Sequence, residues 1–250
     1  MLLVVVLLVV VAATKSQDVH RIKSVCLESS GFLVCGYPMC FSERVSWMAL
    51  VASWTGCAAL IMTGKPEWVA VAILLGVAGS MQLWEALLWR EPRCSSTNGL
   101  VTNIAAVVNH TEPLVYYAAS STVLQARDPR LAAVALVVVS AYVVVFGALT
   151  SRFLKRPLER RCTLPKDPHG LVWQWADNGS GLGKYAYLLF VAALVTTTYA
   201  YMPSGVNHLV TVVAVGSFIL SYARYQGRSL TGTMWCFFAA VLPWFFVAIN

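Results

Sequence analysis

Seven separate apolar runs constrain this chain more than any other feature, because each approaches or exceeds the ~18 residues that cross a bilayer as a helix. They cover residues 46–63, 67–89, 100–125, 131–150, 185–202, 206–223 and 232–249. Hydrocarbon offers no water to backbone N–H and C=O groups, so a spanning segment must satisfy them internally, as a helix does. Composition agrees: 58% of the residues are hydrophobic and 12% charged, with a mean hydropathy of +0.69, whereas soluble domains carry about 25% charged residues. The expected fold is all-α, a polytopic membrane helix bundle of seven spans. It forms a single transmembrane domain over residues 39–250, preceded by an N-terminal extension, 1–38. An eighth apolar run, MLLVVVLLVVVAA at 1–13, is short for a span at ~1.5 Å per residue. Counted as one, it makes eight.

Charge gives a sidedness. Seven spans make the connecting segments alternate, and fifteen of the 18 basic residues then share one side, against Lys65, Arg127 and Arg130 on the other. The positive-inside rule puts the fifteen in the cytoplasm. Residues 14–45 are therefore expected inside, with Asn250 opposite. The net charge of +7 is accounted for by topology and calls for no nucleic-acid partner. Residues 1–13 resemble the apolar region of a signal peptide, but cleavage there would put residue 14 outside and reverse the bias. A signal-anchor, an interfacial helix or an upstream start fits better. The sequons Asn109-His110-Thr111, within a span, and Asn178-Gly179-Ser180, in an inside loop, are expected to be unglycosylated.

Of the seven cysteines, Cys26, Cys35, Cys40, Cys94 and Cys162 fall in inside segments and are expected as reduced thiols. Their spacing lacks a zinc pattern, so no metal is expected. Cys40 and Cys94 flank spans, where acylation is an option.

The polar residues within the apolar runs call for a reason. In SMQLWEALLW (80–89), Ala78, Gln82, Glu85 and Trp89 lie on one helical face. Glu85 stands ~7–8 Å from Arg90 at the helix end, so it either snorkels to that arginine or faces a pocket. The third run carries Asn103, Asn109, His110, Glu112 and Pro113, and a central charge costs at least ~2.5–3.5 kcal/mol. Asn109 and Glu112 share a face, whereas His110 and Glu112 do not. Near the same end as Glu85 lie Asn103, Ser217, Ser221, Trp235 and Cys236. The Trp173 and Trp175 pair lies in the loop before the fifth run. Together these predict a cytoplasm-facing cavity whose ligand candidates are Gln82, Glu85, Trp89, Asn103, Trp235 and Cys236. Asn109, His110 and Glu112 are its central polar candidates.

Met39-Cys40-Phe41-Ser42, with Gln82-x-x-Glu85-Ala86-x-x-Trp89, resembles a group of uncharacterised bacterial multi-pass proteins whose chains open with MCFS. Gly232-Thr233-Met234-Trp235-Cys236, Pro243 and Trp173-x-Trp175 are similar to related uncharacterised proteins of algae and large viruses. The resemblance covers residues 39–250 and implies the multi-span fold and no known activity. It also makes Cys40 an amino-terminal cysteine if translation starts at Met39, and so a modification candidate.

Three function classes remain. The first is a protein that binds or transports a small molecule in the polar cavity, within the lipid bilayer. The second is a structural or sensory membrane protein whose polar residues lock helix packing. The third is a membrane-embedded enzyme on a lipid, with Glu85 as acid or base and Cys40 or Cys236 as nucleophile. No hydrolase or metalloenzyme motif supports the third. No internal repeat supports transport. Retinal proteins and G-protein-coupled receptors are poor candidates, since no span carries a lysine in its interior for a retinal Schiff base and the expected orientation, amino terminus inside, is opposite to theirs. No cofactor is implied.

Overall fold

A computed structural model describes residues 28–29, 32–33, 42–165, 171–175, 181–225 and 231–250. The chain divides into two units, 1–40 and 41–250. In the first, β1 (Glu28–Ser29) pairs antiparallel with β2 (Phe32–Leu33), Glu28 opposite Leu33. The apolar run 1–13 and Cys26, Cys35 and Cys40 lie outside the described residues.

The second unit holds seven α-helices among the described residues, one at each apolar run. They are α1 (Glu43–Met62), α2 (Pro66–Arg90), α3 (Ser96–Val123), α4 (Pro129–Leu154), α5 (Gly181–Tyr201), α6 (Val206–Tyr225) and α7 (Thr231–Ile249). Three of them, α1, α2 and α4, are long and apolar enough to cross a membrane.

Local chemistry sets the ends. Ser42 caps α1 by accepting from the Val45 N–H at 3.3 Å. Ser95 caps α3 through the Asn98 N–H at 3.2 Å. Asp128 accepts from Arg130 and Leu131 N–H at 2.8 and 3.2 Å, and Pro129 supplies the preset first turn of α4. The turn between α5 and α6 needs φ = +90° at Gly205, which a side chain would oppose.

Each helix packs on the next, and α7 returns to α1, closing a ring braced by α2 against α7 and α3 against α5. At the end where α2 begins, Asn250 Oδ1 accepts from Lys65 Nζ and Trp68 Nε1 at 2.7 and 2.8 Å, tying the end of α7 to α2. On α1, Trp244 of α7 donates its indole N–H to the Ala52 carbonyl at 2.8 Å. The α1–α2 contact is the tightest: a Cβ at Gly79 would lie 1.9 Å from Ser53 Oγ, so only glycine permits this approach.

The opposite end, where α2 stops and α3 starts, is covered by the segment after α4 and is called the loop face below. A 3-10 turn at Leu158–Arg160 leads to β3 (Leu164–Pro165), which pairs antiparallel with β4 (Leu171–Val172). Leu171, Trp173 and Trp175 are buried there against Met81, Leu88, Val101 and Phe153.

Two devices pin this cover. Cys94 and Cys162 form a disulfide, with Cα atoms 5.4 Å apart. The expectation of reduced thiols is therefore wrong for these two, and Cys94 has no thiol left to acylate. Charge counting led to that expectation by assigning the segment to a reducing compartment. Beside the disulfide, the Asn98 amide donates to the Glu91 and Thr163 carbonyls at 2.8 and 2.9 Å and accepts the Thr163 N–H at 3.0 Å. Thr102 Oγ1 accepts that N–H too, at 3.1 Å. All three side chains are fully buried.

Candidate functional site

The third helix explains why its sequence is so polar. Asn98, Thr102, Ala105, Asn109, Glu112, Tyr116 and Ser120 recur every three or four residues and are all buried. Leu100, Ile104, Val107 and Leu114, on the other side, are exposed. This inverts the arrangement of a helix in a soluble protein. The polar face of α3 is a seam through the interior of the bundle.

Glu112 lies on this seam, and neither carboxyl oxygen has a hydrogen-bond partner among the described residues. Pro113, next in the chain, has no N–H for the Asn109 carbonyl. Asn109 itself is buried. One turn further on, the Tyr116 hydroxyl meets Thr198 Oγ1 of α5 at 3.0 Å. Thr198 commits its own proton to the Leu194 carbonyl at 2.8 Å, so Tyr116 is the donor.

His110 points off the seam, toward α4 and α5. Its Nδ1 lies 2.8 Å from Tyr142 Oη, while Tyr142 donates its hydroxyl proton to the His110 carbonyl at 3.1 Å. A phenol has one proton. With that proton on the carbonyl, Oη is the acceptor and Nδ1 carries the hydrogen. Nε2, at the far edge of the ring, is left with its lone pair and no partner among the described residues. Phe146 stacks on the imidazole at 4.5 Å, and Trp175 meets it edge-on at 4.9 Å.

Beside the ring is a cavity of about 30 Å³, lined by Ala106, His110, Phe146, Thr150, Trp175 and Tyr187 among others. A water needs ~10–15 Å³ measured this way, so the space suits one or two waters. No organic ligand fits it without movement. It lies between α3, α4 and α5, beneath the 171–175 segment.

The other expected residues fall as follows. Gln82 and Glu85 of α2 are fully buried, and Trp89 is half-buried. Gln82 Nε2 and the Trp84 and Trp89 indole N–H groups have no hydrogen-bond partner among the described residues. Asn103 of α3, half-buried, likewise has an unpartnered Oδ1. It lies about as far from its helix end as Gln82 does from Arg90, some 10–12 Å.

Snorkelling of Glu85 to Arg90 does not occur. The Arg90 guanidinium pairs instead with Glu43 at the start of α1 and lies over the Trp47 ring, 5.8 Å from its centroid. Trp235 and Cys236 are in the first turns of α7, and their side chains lie outside the described residues, as does Cys40. No cluster of three or more His, Cys, Asp or Glu occurs among the described residues.

Sequence reading missed Tyr142. The signal was present, a lone phenol in the middle of the aliphatic run VVVSAYVVV, where a hydroxyl must find a partner. The chain matches no known family profile, no curated protein and no solved structure.

Proposed function

We propose that the chain is a seven-span membrane protein that binds or transports a small molecule along the polar seam of α3. The observation that carries this reading is Glu112, a carboxyl buried at mid-helix with no hydrogen-bond partner among the described residues. A group this costly to bury contributes nothing to packing, and intramembrane carboxyls of this kind mark ion and substrate paths. The exposed apolar side of α3, and those of α1 and α4, support lipid as the surroundings. The resemblance to bacterial, algal and large-virus multi-pass proteins remains part of this proposal and adds no activity to it.

The test is native mass spectrometry of protein released from its own membrane. A retained small molecule that is lost in Glu112→Gln supports the reading. An unliganded wild type with unchanged behaviour in Glu112→Gln and Glu85→Gln refutes it. That result would favour the structural reading, which the Asn98–Thr102–Thr163 network supports at the loop face.

Sidedness brings two features into conflict. The fifteen-to-three charge count supports a cytoplasmic loop face, with residues 14–45 on the same side and Asn250 opposite. The Cys94–Cys162 disulfide supports an oxidising compartment for that face, because cytosolic thiols are kept reduced. Charge bias is statistical, whereas a disulfide needs an oxidant, and we assign the loop face to the oxidising side. A glycan on Asn178 supports this assignment. Labelling of both cysteines by a thiol reagent in intact cells, with no glycan, restores the orientation given by charge.

A further inference from the structure

The cover on the loop face hangs on one covalent link and one hydrogen-bonded clamp, and the covalent link is open to attack from one side. Cys94 is exposed, whereas Cys162, its partner, is only 1% exposed. We propose that the Cys94–Cys162 bond is a redox latch, which a thiol opens by attack at Cys94 and so loosens the cover over the His110 cavity. The latch goes beyond the small-molecule reading and does not rest on it.

The surroundings of the bond suit two states. The Leu158 carbonyl oxygen lies 3.3 Å from Cys162 Sγ and 3.7 Å from Cys94 Sγ, and the Ser95 carbonyl oxygen lies 4.0 Å from Cys162 Sγ. Disulfide sulfurs have no proton to give these oxygens, but thiols do. Reduction thus leaves weak S–H···O contacts in place of the covalent link, and from them the same pair can close again. Cations flank both sulfurs in the chain, Arg93 before Cys94 and Arg160 with Arg161 before Cys162. Nearby positive charge favours a thiolate, which makes Cys162 the better leaving group once Cys94 is attacked. The oxidising side assigned above to the loop face keeps the latch shut at rest, and a reducing thiol is its signal.

Release reaches the cavity through the chain. Thr163 follows Cys162 and leads into β3, which pairs with β4, and β4 runs directly into Trp173 and Trp175. Trp175 lines the cavity and meets the His110 ring at 4.9 Å. With the bond open, the Asn98 amide still holds the Thr163 backbone at 2.9 and 3.0 Å. The cover is therefore loosened and not lost, as a reversible latch requires.

The exchange balances in two steps. A thiolate bonds to Cys94 Sγ, the Cys94–Cys162 bond breaks, and its electron pair leaves on Cys162 Sγ, which takes a proton from water. A second thiolate then attacks the outer sulfur of the mixed disulfide, releasing Cys94 Sγ, which is protonated in turn. Two external thiols end as one disulfide, and the protein pair has gained two electrons.

The experiment uses the full-length protein in lipid vesicles, with glutathione as the thiol in a buffer poised as in the cytosol. Acid-trapped peptide maps locate the adduct, and mass spectrometry follows amide hydrogen exchange at 171–175. The first glutathione adduct of the pair should appear on Cys94. Reduction should speed exchange at 171–175 by about tenfold or more, leave α1 and α2 unchanged, and reverse on addition of oxidised glutathione. Cys94→Ser/Cys162→Ser should exchange like reduced wild type, with or without glutathione. If circular dichroism shows that this variant misfolds, the wild-type comparison still decides. A bond that glutathione leaves closed overturns the latch, as does a first adduct on Cys162. Equal exchange at 171–175 in oxidised and reduced wild type overturns it too, and so does a rise that extends through α1 and α2.

Discussion

Removing the Cys94–Cys162 bond gives the sharpest test of how this bundle is held together. The two cysteines are 68 residues apart, and the chain-entropy relation for a loop of that length gives about 4.4 kcal/mol of stabilisation in water. That figure is too large here. On the proposed reading of the helices as spans, the unfolded state in lipid keeps them helical, and the 28 residues of α3 and 26 of α4 both lie within the loop. Only about 14 flexible residues remain in the ring, for which the same relation gives about 3 kcal/mol. The assay is reversible unfolding in mixed micelles, comparing wild type, wild type with reductant, and Cys94→Ser/Cys162→Ser. Wild type should lose about 3 kcal/mol on reduction, and the double variant should be lower by the same amount and insensitive to reductant. A loss below about 0.5 kcal/mol would mean that the Asn98 clamp alone fixes the cover, and would refute the argument. A loss near 4.4 kcal/mol would mean that the spans melt in the unfolded state.

Other outcomes follow from the same contacts. Glu112→Leu should stabilise the protein by about 1–3 kcal/mol in that assay, since it removes a buried group whose oxygens have no hydrogen-bond partner among the described residues; destabilisation by more than ~1 kcal/mol would show that the carboxyl is satisfied. Gly79→Ala should cost about 1–3 kcal/mol through the clash with Ser53 and recover in part when combined with Ser53→Gly. Asn98→Ala should cost about 2–4 kcal/mol by orphaning the Thr163 backbone, measured with the disulfide intact. Glu43→Gln, which breaks an exposed pair with Arg90, should change stability by less than about 1 kcal/mol.

The seven helices were legible because a long apolar run takes its backbone groups away from water, and a helix satisfies them within the run. Their ends were less so. An apolar count begins α3 at residue 100, whereas Ser95 caps it and Ser96 begins it. It stops α4 at 150, but the helix runs to Leu154 with Arg152 in its last turn. Caps and final turns are polar, so hydropathy trims them.

Within the site, the three-residue spacing of Asn109 and Glu112 put them on one face of α3, and both are buried there. What spacing could not supply was the partner of a residue on another helix. His110 meets Tyr142 across 32 positions, and Arg90 meets Glu43 across 47. The disulfide was hidden for a different reason. Charge assigned its compartment first, and the compartment then forbade the bond.

The position of that bond in the chain bears on how the protein is made. Cys162 is synthesised before any residue of α5, so the crosslink around α3 and α4 can close before the last three helices have been made. At ~5–20 residues per second, the 88 residues that follow Cys162 take roughly 4–18 seconds to appear. The finished hairpin, with Tyr142 already opposite His110, then serves as the template on which α5 lays Tyr187, and assembly gains a direction from amino to carboxyl end. A chain that stalls before α5 would already carry its crosslink.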